Sequence, residues 1–377
     1  MILPGATLGI LGGGQLGKMF AVAAQTLGYR VAVLDPDPEC PAHAVCHKHI
    51  VAAYDDPAAL SRLREICAAV TTEFENVPAA SLAELGQSLV VSPAAKPVSI
   101  AQNRAREKEF LRDAGFATAA FAIVDGESDF EAALDEIRFP AILKRSTFGY
   151  DGKGQYRVAT TADARRAFEA IGGAGCVLEE QVALALEVSV VLARSRSGAI
   201  ASYPVAENLH ANGILDMSIV PARIDAQLAA EATDVAQRIA QALDYVGVMA
   251  VEFFIVKDGR LLINELAPRP HNSGHFTLDA CITSQFEQQV RTLCDLPLGA
   301  PDLVQPAVMV NLLGELWQPE PNWAAVLASA SLKLHLYGKT EARMGRKMGH
   351  FTCCDRDLQA ALAEAQNVRR ALGMRLA

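Results

Sequence analysis

The sequence lacks the features that would place it in several large classes of protein. It contains no G-x-x-x-x-G-K-[ST] motif, which excludes a P-loop nucleotide site. It has no run of about 18 apolar residues, so we expect no membrane-spanning helix. None of its 8 cysteines forms C-x-x-C, and their irregular spacing predicts reduced core residues of a cytoplasmic protein. Met1 to Leu11 carry no basic segment, so we expect no secretory signal there.

The composition is that of a large folded protein. The chain has 377 residues, of which 51% are hydrophobic and 20% are charged. This length predicts two or three domains, and this composition can fill a large core. The net charge of −9 argues against a general nucleic-acid binder but is compatible with one local basic pocket. We therefore expect small-molecule partners, and no nucleic acid or membrane.

Short apolar runs alternate with helical patterns over the first hundred residues. Strands are predicted at 8–11, 31–34, 68–71 and 89–91, with helices at 15–27 and 57–67. This alternation is typical of a doubly wound parallel sheet. Residues 119–182 predict a small α+β unit, and long strands with one helix at 225–243 dominate after residue 187.

A basic, glycine-rich loop interrupts the small α+β unit at residues 148–155. Gly149, Gly152 and Gly154 free its backbone, and Lys153 together with the preceding Lys144 supplies positive charge. Backbone amides and a lysine in such a loop suit the phosphates of a nucleotide. The loop therefore indicates a nucleoside triphosphate site of a kind other than the P-loop.

A second glycine motif, GGGQLG at residues 12–17, follows a strand and opens a helix. Asp35 ends the next strand, so the pattern resembles a dinucleotide-binding fingerprint. Three interpretations are open: a nicotinamide or flavin site, a glycine turn needed only for tight packing, or a helix N-terminus that binds another phosphate. The rest of the chain favours the third.

A pair of carboxylates is predicted on a hairpin. Asp258-Gly259 is a preferred two-residue turn, and counting outward from it places Glu252 opposite Glu265. Their Cβ atoms would lie roughly 5 Å apart, where two charges repel unless a cation lies between them. Hard oxygen ligands at this distance suit magnesium; the alternative is two surface glutamates. Asn264 would face away in an ideal pleat and could join them only through a bulge.

Three further segments carry polar side chains. The loop after Glu265 holds donors suited to an anionic or polar substrate, unless it is purely structural: Arg269, His271, Asn272 and His275. A basic stretch predicts either a phosphate pocket or a solvated face: Lys333, Lys339, Arg343, Arg346 and Lys347. The strand 177–182 could offer backbone groups to adenine, and Glu187 could hold ribose hydroxyls.

Together these motifs resemble the ATP-grasp superfamily, in which a small lid and a larger domain clamp ATP between two sheets. Within it, four strings are similar to those of the 5-(carboxyamino)imidazole ribonucleotide synthases of purine biosynthesis: GGGQLG, TEFENV at 72–77, FGYDGKGQ and APRPHNSGH at 267–275. The resemblance spans the chain. It implies a Rossmann-like domain at 1–102, a lid at 103–183 and a larger antiparallel-sheet catalytic domain at 184–377.

The resemblance also implies a role for individual residues. ATP contacts are implied for Arg104, Lys144, Gly149, Tyr150, Asp151, Gly152, Lys153, Gly154, Gln155, Glu179, Glu180, Gln181, Val182, Glu187, His210, Asn264 and Glu265. Contacts to the ribonucleotide or bicarbonate are implied for Gln15, Glu73, Tyr150, Asp151, Arg269, His271, Asn272, Lys339 and Arg346. Glu252 and Glu265 would hold magnesium, with two ions expected. Lys144, Asp151 and Arg269 would be catalytic.

The implied activity is an ATP- and bicarbonate-dependent carboxylation of 5-aminoimidazole ribonucleotide by a cytoplasmic homodimer. Lys18 stands where the family often has arginine, and Ala211-Asn212 replaces a commoner charged pair. One alternative is another ATP-grasp ligase, such as a formate-dependent glycinamide ribonucleotide transformylase or a biotin carboxylase. Others are an NAD-dependent dehydrogenase and a non-catalytic nucleotide-binding regulator.

Overall fold

The first sheet is parallel, as the alternating pattern predicts. The computed structural model describes residues 1–147 and 154–374. Its first five strands are ordered β3-β2-β1-β4-β5 and comprise β1 Thr7–Leu11, β2 Arg30–Leu34, β3 Lys48–Ile50, β4 Ala69–Thr72 and β5 Val90–Val91. Four helices accompany them: α1 Gln15–Thr26, α2 Pro57–Ile66, α3 Ala79–Leu85 and α4 Ala95–Ala101. The central strands are apolar and buried because helices cover both faces of a parallel sheet.

The second sheet is small and antiparallel. Its order is β6-β9-β7-β8, with β6 Phe121–Val124, β7 Ala141–Arg145, β8 Gln155–Val158 and β9 Cys176–Glu180. Helices α6 Glu127–Glu136 and α7 Thr161–Ala170 pack on it, where the rings of Phe130 and Phe168 stack with centroids 4.1 Å apart. Helix α5, Arg104–Asp113, precedes this unit along the chain.

The third sheet has nine strands and is antiparallel. Along its main path the order is β15-β14-β10-β12-β13-β16-β18-β17, and β11 pairs with β10. The strands are β10 Leu184–Arg194, β11 Ile200–Ser202, β12 Ala206–Ala211, β13 Ile214–Val220, β14 Gly247–Val256, β15 Leu261–Ala267, β16 Ala307–Leu313, β17 Leu332–Leu336 and β18 Lys347–Cys354. The helices are α8 Ala226–Ala242, α9 Thr277–Ala280, α10 Gln285–Leu293, α11 Trp323–Leu327 and α12 Leu358–Ala371.

The three sheets meet where charged side chains are buried. Helix α5 buries Arg104, Glu107 and Lys108 along with Leu111, and α10 packs against both α1 and the large sheet. Within the described parts of the chain, no helix combines the length and apolar character that crossing a membrane requires. This junction is therefore the candidate active site, because charged groups are rarely buried without partners.

Candidate active site

Glu252 on β14 pairs with Glu265 on β15, the opposition that the sequence predicts. A β-bulge lies between this pair and the next one, which joins Phe253 to Ile263. The bulge places the extra residue, Asn264, beside the pair, and Asn264 Nδ2 donates to Glu252 Oε2 at 3.3 Å. A bulge re-aims a side chain in this way because the extra residue breaks the alternation of the strand.

The turn that joins these strands differs from the predicted two-residue turn. The amide of Val256 donates to the carbonyl of Arg260 at 3.0 Å, so the loop contains the three residues 257–259. Gly259 takes φ +88°, a conformation that suits glycine. Ile255 therefore pairs with Leu261, and the predicted register near the turn is wrong by one residue. The bulge at Asn264 restores the register before the carboxylates are reached.

Glu252 is held as an anion by a histidine from the following loop. His271 Nε2 lies 3.1 Å from Glu252 Oε1, and both side chains are largely buried. Burial would raise the pKa of Glu252, but the His271 hydrogen bond and the charges of His271 and His210 lower this pKa to about 2. Glu265 keeps 38% of its side chain exposed, and its Oε2 lies 3.2 Å from Arg104 Nη1.

A buried polar chain fixes the ring of His271. Its Nδ1 lies 2.8 Å from Ser273 Oγ, which lies 2.7 Å from Ser189 Oγ on β10. Asn208 Nδ2 donates to Ser189 Oγ at 2.9 Å. The side-chain amide of Gln285 accepts from His271 N and donates to His271 O, both at 2.8 Å. None of these residues was predicted for the site, although Ser189 inside the apolar strand 188–193 is an unusual polar residue that could have indicated it.

Two lysines lie beside the buried carboxylate of Glu179, and the charge of Arg104 acts on it as well. Lys144 Nζ donates to Glu179 Oε2 at 2.8 Å, and Lys108 Nζ lies 3.6 Å from the same oxygen. Burial raises the pKa of Glu179, but Lys144 and Lys108, with Arg104, lower it to about 2. Burial lowers the pKa of Lys144, against the opposing effect of Glu179. Positive charge is thus concentrated beside Glu265.

Glu107 and Lys108 are charged residues of the site that were not predicted from the sequence. Glu107 is 2% exposed and Lys108 is 1% exposed. Burial and the charge of Glu265 raise the pKa of Glu107 to about 8, against the effect of Lys108 and Arg104. Their spacing from Arg104, at i+3 and i+4, places all three on one helix face and was the available signal.

Arg269 is oriented by a carboxylate from the first sheet. Its Nη2 donates to Glu75 Oε1 at 3.2 Å, and its Nε donates to Oε2 of the same residue. Glu75 belongs to the string TEFENV at 72–77, whose predicted ligand was Glu73. A cleft at this junction is lined by Glu75, Asn76, Arg104, Ser146, Glu265 and Arg269. The loop after β15 and the first sheet therefore share one pocket.

The first glycine motif surrounds carboxylates of the protein itself. Gly14 N donates to Glu73 Oε2 at 2.5 Å and Leu16 N donates to Oε1 at 3.1 Å. Gly13 N donates to Asp35 Oδ2 at 2.6 Å. Glu73 thus accepts the hydrogen bonds of backbone amides at the N-terminus of α1. In a dinucleotide-binding protein, the corresponding amides face the pyrophosphate. This arrangement disfavours the dehydrogenase interpretation.

The basic stretch near the C-terminus lies against helix α1. Lys18 Nζ donates to the carbonyl of Tyr337 at 3.0 Å. Nearby, Lys339 Nζ donates to Lys347 O at 2.7 Å, and Arg346 Nη1 donates to Glu341 O at 2.8 Å. The structure thus places the segment that carries Lys339 beside the helix that Gln15 begins.

Asn272, in the loop after β15, is paired with Asn311 of β16. The two side-chain amides exchange hydrogen bonds of 3.0 and 2.7 Å.

The predicted nucleotide residues are only partly described. Glycine-loop residues 149–153, namely Gly149, Tyr150, Asp151, Gly152 and Lys153, lie outside the described residues. At the loop's described end, Gln155 pairs with Lys144 across β8 and β7, and Gly154 O accepts from Arg145 N. Glu179 and Glu180 end β9, and Gln181 and Val182 lead into β10. His210 Nδ1 lies 2.9 Å from Glu187 Oε2.

Family models match consecutive parts of the chain. A ribonucleotide synthetase preATP-grasp domain matches residues 5–102, and an ATP-grasp domain matches residues 109–286. A phosphoribosylaminoimidazole carboxylase C-terminal domain matches residues 307–364. The fold and the site define an ATP-grasp enzyme, as the motifs predict.

Comparison with whole proteins identifies the family within that class. An N5-carboxyaminoimidazole ribonucleotide synthase of Brucella melitensis biotype 1 is 48% identical over 351 residues, which cover 93% of this chain and 96% of the relative. The chain therefore belongs to the N5-carboxyaminoimidazole ribonucleotide synthases, which confirms the resemblance seen in the motifs. It is an ATP-dependent, ADP-forming ligase of purine biosynthesis.

Two crystal structures are similar over nearly the whole chain. N5-carboxyaminoimidazole synthetase from Staphylococcus aureus, complexed with ADP, has a TM-score of 0.92 at 38% identity and covers 97% of this chain and 98% of that chain. N5-carboxyaminoimidazole synthase from Aspergillus clavatus, in complex with ADP and 5-aminoimidazole ribonucleotide, has a TM-score of 0.89 at 29% identity and covers 98% of each chain.

Proposed function

We propose that this chain forms carboxyphosphate from bicarbonate and ATP, and then carboxylates the exocyclic amine of 5-aminoimidazole ribonucleotide. The observation that carries the proposal is the opposition of Glu252 and Glu265 beside the cation cluster of Arg104, Lys108 and Lys144. Such a site brings acidic groups for a metal and basic groups for phosphates to one junction. The ligands of the Staphylococcus aureus and Aspergillus clavatus structures support the same substrates.

The donor set at the carboxylate pair fits magnesium. Glu252 is ionised at neutral pH, since its pKa is lowered to about 2 by His271 against burial, and Glu265 is half-exposed. Carboxylate oxygens are the protein ligands that magnesium takes alongside substrate phosphates. We propose that Glu252 and Glu265 hold two magnesium ions, with Asn264 beside the nucleotide. Magnesium, when bound, would neutralise phosphate oxygens and align them.

The first step is phosphoryl transfer to bicarbonate. A bicarbonate oxygen attacks the γ-phosphorus of ATP, the bond to the ADP oxygen breaks, and carboxyphosphate forms. Lys144 supplies positive charge to the transferring group, and Arg104 and the described end of the glycine loop, Gly154 and Gln155, position the nucleotide. Positioning and charge stabilisation account for most of the catalysis of phosphoryl transfer. Glu187 would contact the ribose hydroxyls of ATP, and His210 would also contact ATP.

The second step forms the carbon–nitrogen bond. The exocyclic amine attacks the carbonyl carbon of carboxyphosphate, or carbon dioxide released from it, and inorganic phosphate leaves. Arg269, oriented by Glu75, binds the carboxylate oxygens, and either Asp151 or the released phosphate takes the amine proton. Exclusion of water from the site would protect the labile intermediate.

The ribonucleotide phosphate would lie between α1 and the C-terminal basic stretch. Lys339 and Arg346 would provide the positive charge that pairs with this phosphate. Gln15 begins α1 and Glu73 accepts from the amide of Gly14, and Lys18 of the same helix contacts Tyr337. His271 and Asn272 would contact the aminoimidazole side of the substrate. Arginine and lysine are the common phosphate partners of proteins, which supports this assignment.

We also propose three domains at 1–102, 103–183 and 184–377, a homodimer and a cytoplasmic location. The separate ranges of the three sheets support the division. All 8 cysteines are free, which is typical of a reducing compartment. Light scattering of the purified chain would test the homodimer, and a mass of one protomer would refute it.

ADP release from ATP and magnesium tests the proposed reaction. We expect strong stimulation only when bicarbonate and 5-aminoimidazole ribonucleotide are both present. A response to formate and glycinamide ribonucleotide instead would move the substrate assignment to the transformylase type.

A further inference from the structure

Helix α5 covers the edge of the large sheet at the position of the carboxylate pair. β15 is the outermost strand at that end of the sheet, so its outward backbone groups have no neighbouring strand. Two residues before Glu265, the amide of Ile263 donates to the carbonyl of Ala117 at 2.8 Å. An uncovered edge strand carries unsatisfied polar groups, so the groups that follow Ile263 also need partners.

Two adjacent residues of α5 provide those partners. Lys108 Nζ donates to the carbonyl of Asn264 at 3.2 Å. Glu107 Oε1 accepts from the amide of Leu266 at 2.6 Å. The carbonyl before Glu265 and the amide after it are therefore both held by side chains of one helix turn. Glu107 and Lys108 are 2% and 1% exposed, so water competes little for these bonds.

Lys108 also connects this strand to the small sheet. Its Nζ lies 3.6 Å from Glu179 Oε2, the oxygen to which Lys144 donates at 2.8 Å. The start of α5 is tied to the same sheet, since Arg104 N donates to Ser146 O at 2.8 Å. A single helix thus sets the bulged strand of the carboxylates against the strand that carries Lys144.

We propose that Glu107 and Lys108 are positioning residues that hold the segment 264–266 in its bulged register, and thereby set the affinity of the site for its divalent metal. The inference rests on the proposed role of Glu252 and Glu265 as metal ligands. Neither residue is argued to touch metal or substrate. Mutation of residues that orient metal ligands from outside the coordination sphere commonly weakens metal binding roughly 10–100-fold.

The test measures binding of Mn²⁺, as a probe for magnesium, to the full chain in the presence of ADP, using the electron paramagnetic resonance signal of free Mn²⁺. We expect Lys108→Met and Glu107→Met to weaken Mn²⁺ binding roughly 10–100-fold. Glu107→Gln retains an oxygen that can accept a hydrogen bond from Leu266 N. We therefore expect this variant to bind Mn²⁺ with an affinity within about twofold of that of the unaltered chain, a smaller loss than mutation of a ligand-orienting residue typically causes.

Charged residues on the exposed face of the same helix provide matched controls. Arg106 and Glu109 are exposed, and Arg106→Met and Glu109→Met should leave Mn²⁺ binding unchanged. Equal losses in Glu107→Gln and Glu107→Met would overturn the proposal, because the hydrogen bond to Leu266 would then not matter. Unchanged binding in Lys108→Met would also overturn it. If Lys108→Met does not fold, the pair of Glu107 variants decides the question.

Two further variants separate this inference from the proposed function. Glu252→Gln and Glu265→Gln should abolish tight Mn²⁺ binding. If they do so while the Glu107 and Lys108 variants bind normally, only the positioning role is refuted. If Glu252→Gln and Glu265→Gln bind Mn²⁺ normally, the assignment of the metal ligands fails, and the positioning role fails with it.

Discussion

Arg269 and Glu75 form a two-point ion pair between residues 194 positions apart in the chain. The pair joins the end of the first sheet to the loop after β15 and lines the shared cleft. Burial raises the pKa of Glu75, but the charge and hydrogen bonds of Arg269 outweigh it and lower this pKa to about 2. Arg269 is therefore a positioned cation, since its planar side chain is held at two points.

Replacing Glu75 by Gln should impair both stability and substrate binding. The change leaves Arg269 with a neutral partner. Breaking a fully buried ion pair costs about 3–5 kcal/mol, and the partial exposure of both side chains reduces that loss here. We expect a lower thermal midpoint and a higher KM for the ribonucleotide. Glu65→Gln, at an exposed carboxylate of α2, is the control and should change neither the thermal midpoint nor the KM.

The contribution of this ion pair should depend on pH in a defined direction. A carboxylate whose pKa falls from 4.5 to about 2 on folding stabilises the fold above its unfolded pKa. The difference in thermal midpoint between the unaltered chain and Glu75→Gln should be constant above about pH 5.5 and shrink as the pH falls from there toward 2. A difference that grows on acidification would contradict the assigned ion pair.

Replacing Glu265 by Ala should abolish ADP release. The change removes one of two opposed carboxylates and leaves Arg104 without the partner 3.2 Å away. Asp258→Asn, in the exposed turn of the same hairpin, is the control, and full activity is expected. An active Glu265→Ala enzyme with unchanged magnesium dependence would remove this residue from the metal site.

Replacing Lys144 by Met should lower kcat more than it raises the KM for ATP. Loss of a positioned charge that acts on the transferring group costs roughly 10²–10³-fold in kcat. The control is Lys257→Met in the exposed hairpin turn. Steady-state ADP release at saturating ATP checks the prediction, and a change confined to KM would indicate that Lys144 only binds the nucleotide.

Replacing Gly14 by Ala should destabilise the first sheet. A Cβ at residue 14 would lie 2.3 Å from Glu73 Oε1 and 3.0 Å from its Cδ, so the carboxylate must move. Overpacking of this kind costs about 1–3 kcal/mol, which should appear as a lower thermal midpoint. Gly126→Ala is the matched control, because its Cβ would meet nothing within 4 Å. Equal midpoints for both variants would show that Glu73 adjusts freely.

The sequence predicted the opposition of Glu252 and Glu265, but for a reason that was only partly right. The predicted two-residue turn gave the correct pair, whereas the observed turn is longer and the bulge at Asn264 compensates for it. Glu107 and Lys108 were missed because charged helix residues are usually solvated. The shared helix face of Arg104, Glu107 and Lys108 was a signal, but it could not identify the partners of Lys108, which lie on strands 71 and 156 residues away.

The sequence by itself determined the parallel first sheet, the hairpin that carries the carboxylates, and the family of the enzyme. These features depend on local patterns and short strings of residues. Only the tertiary structure decided the pairing of Arg269 with Glu75, the contact of Lys18 with Tyr337, and the hold of α5 on the carboxylate strand. Such contacts join distant parts of the chain, and their geometry depends on how complete sheets and helices pack against one another.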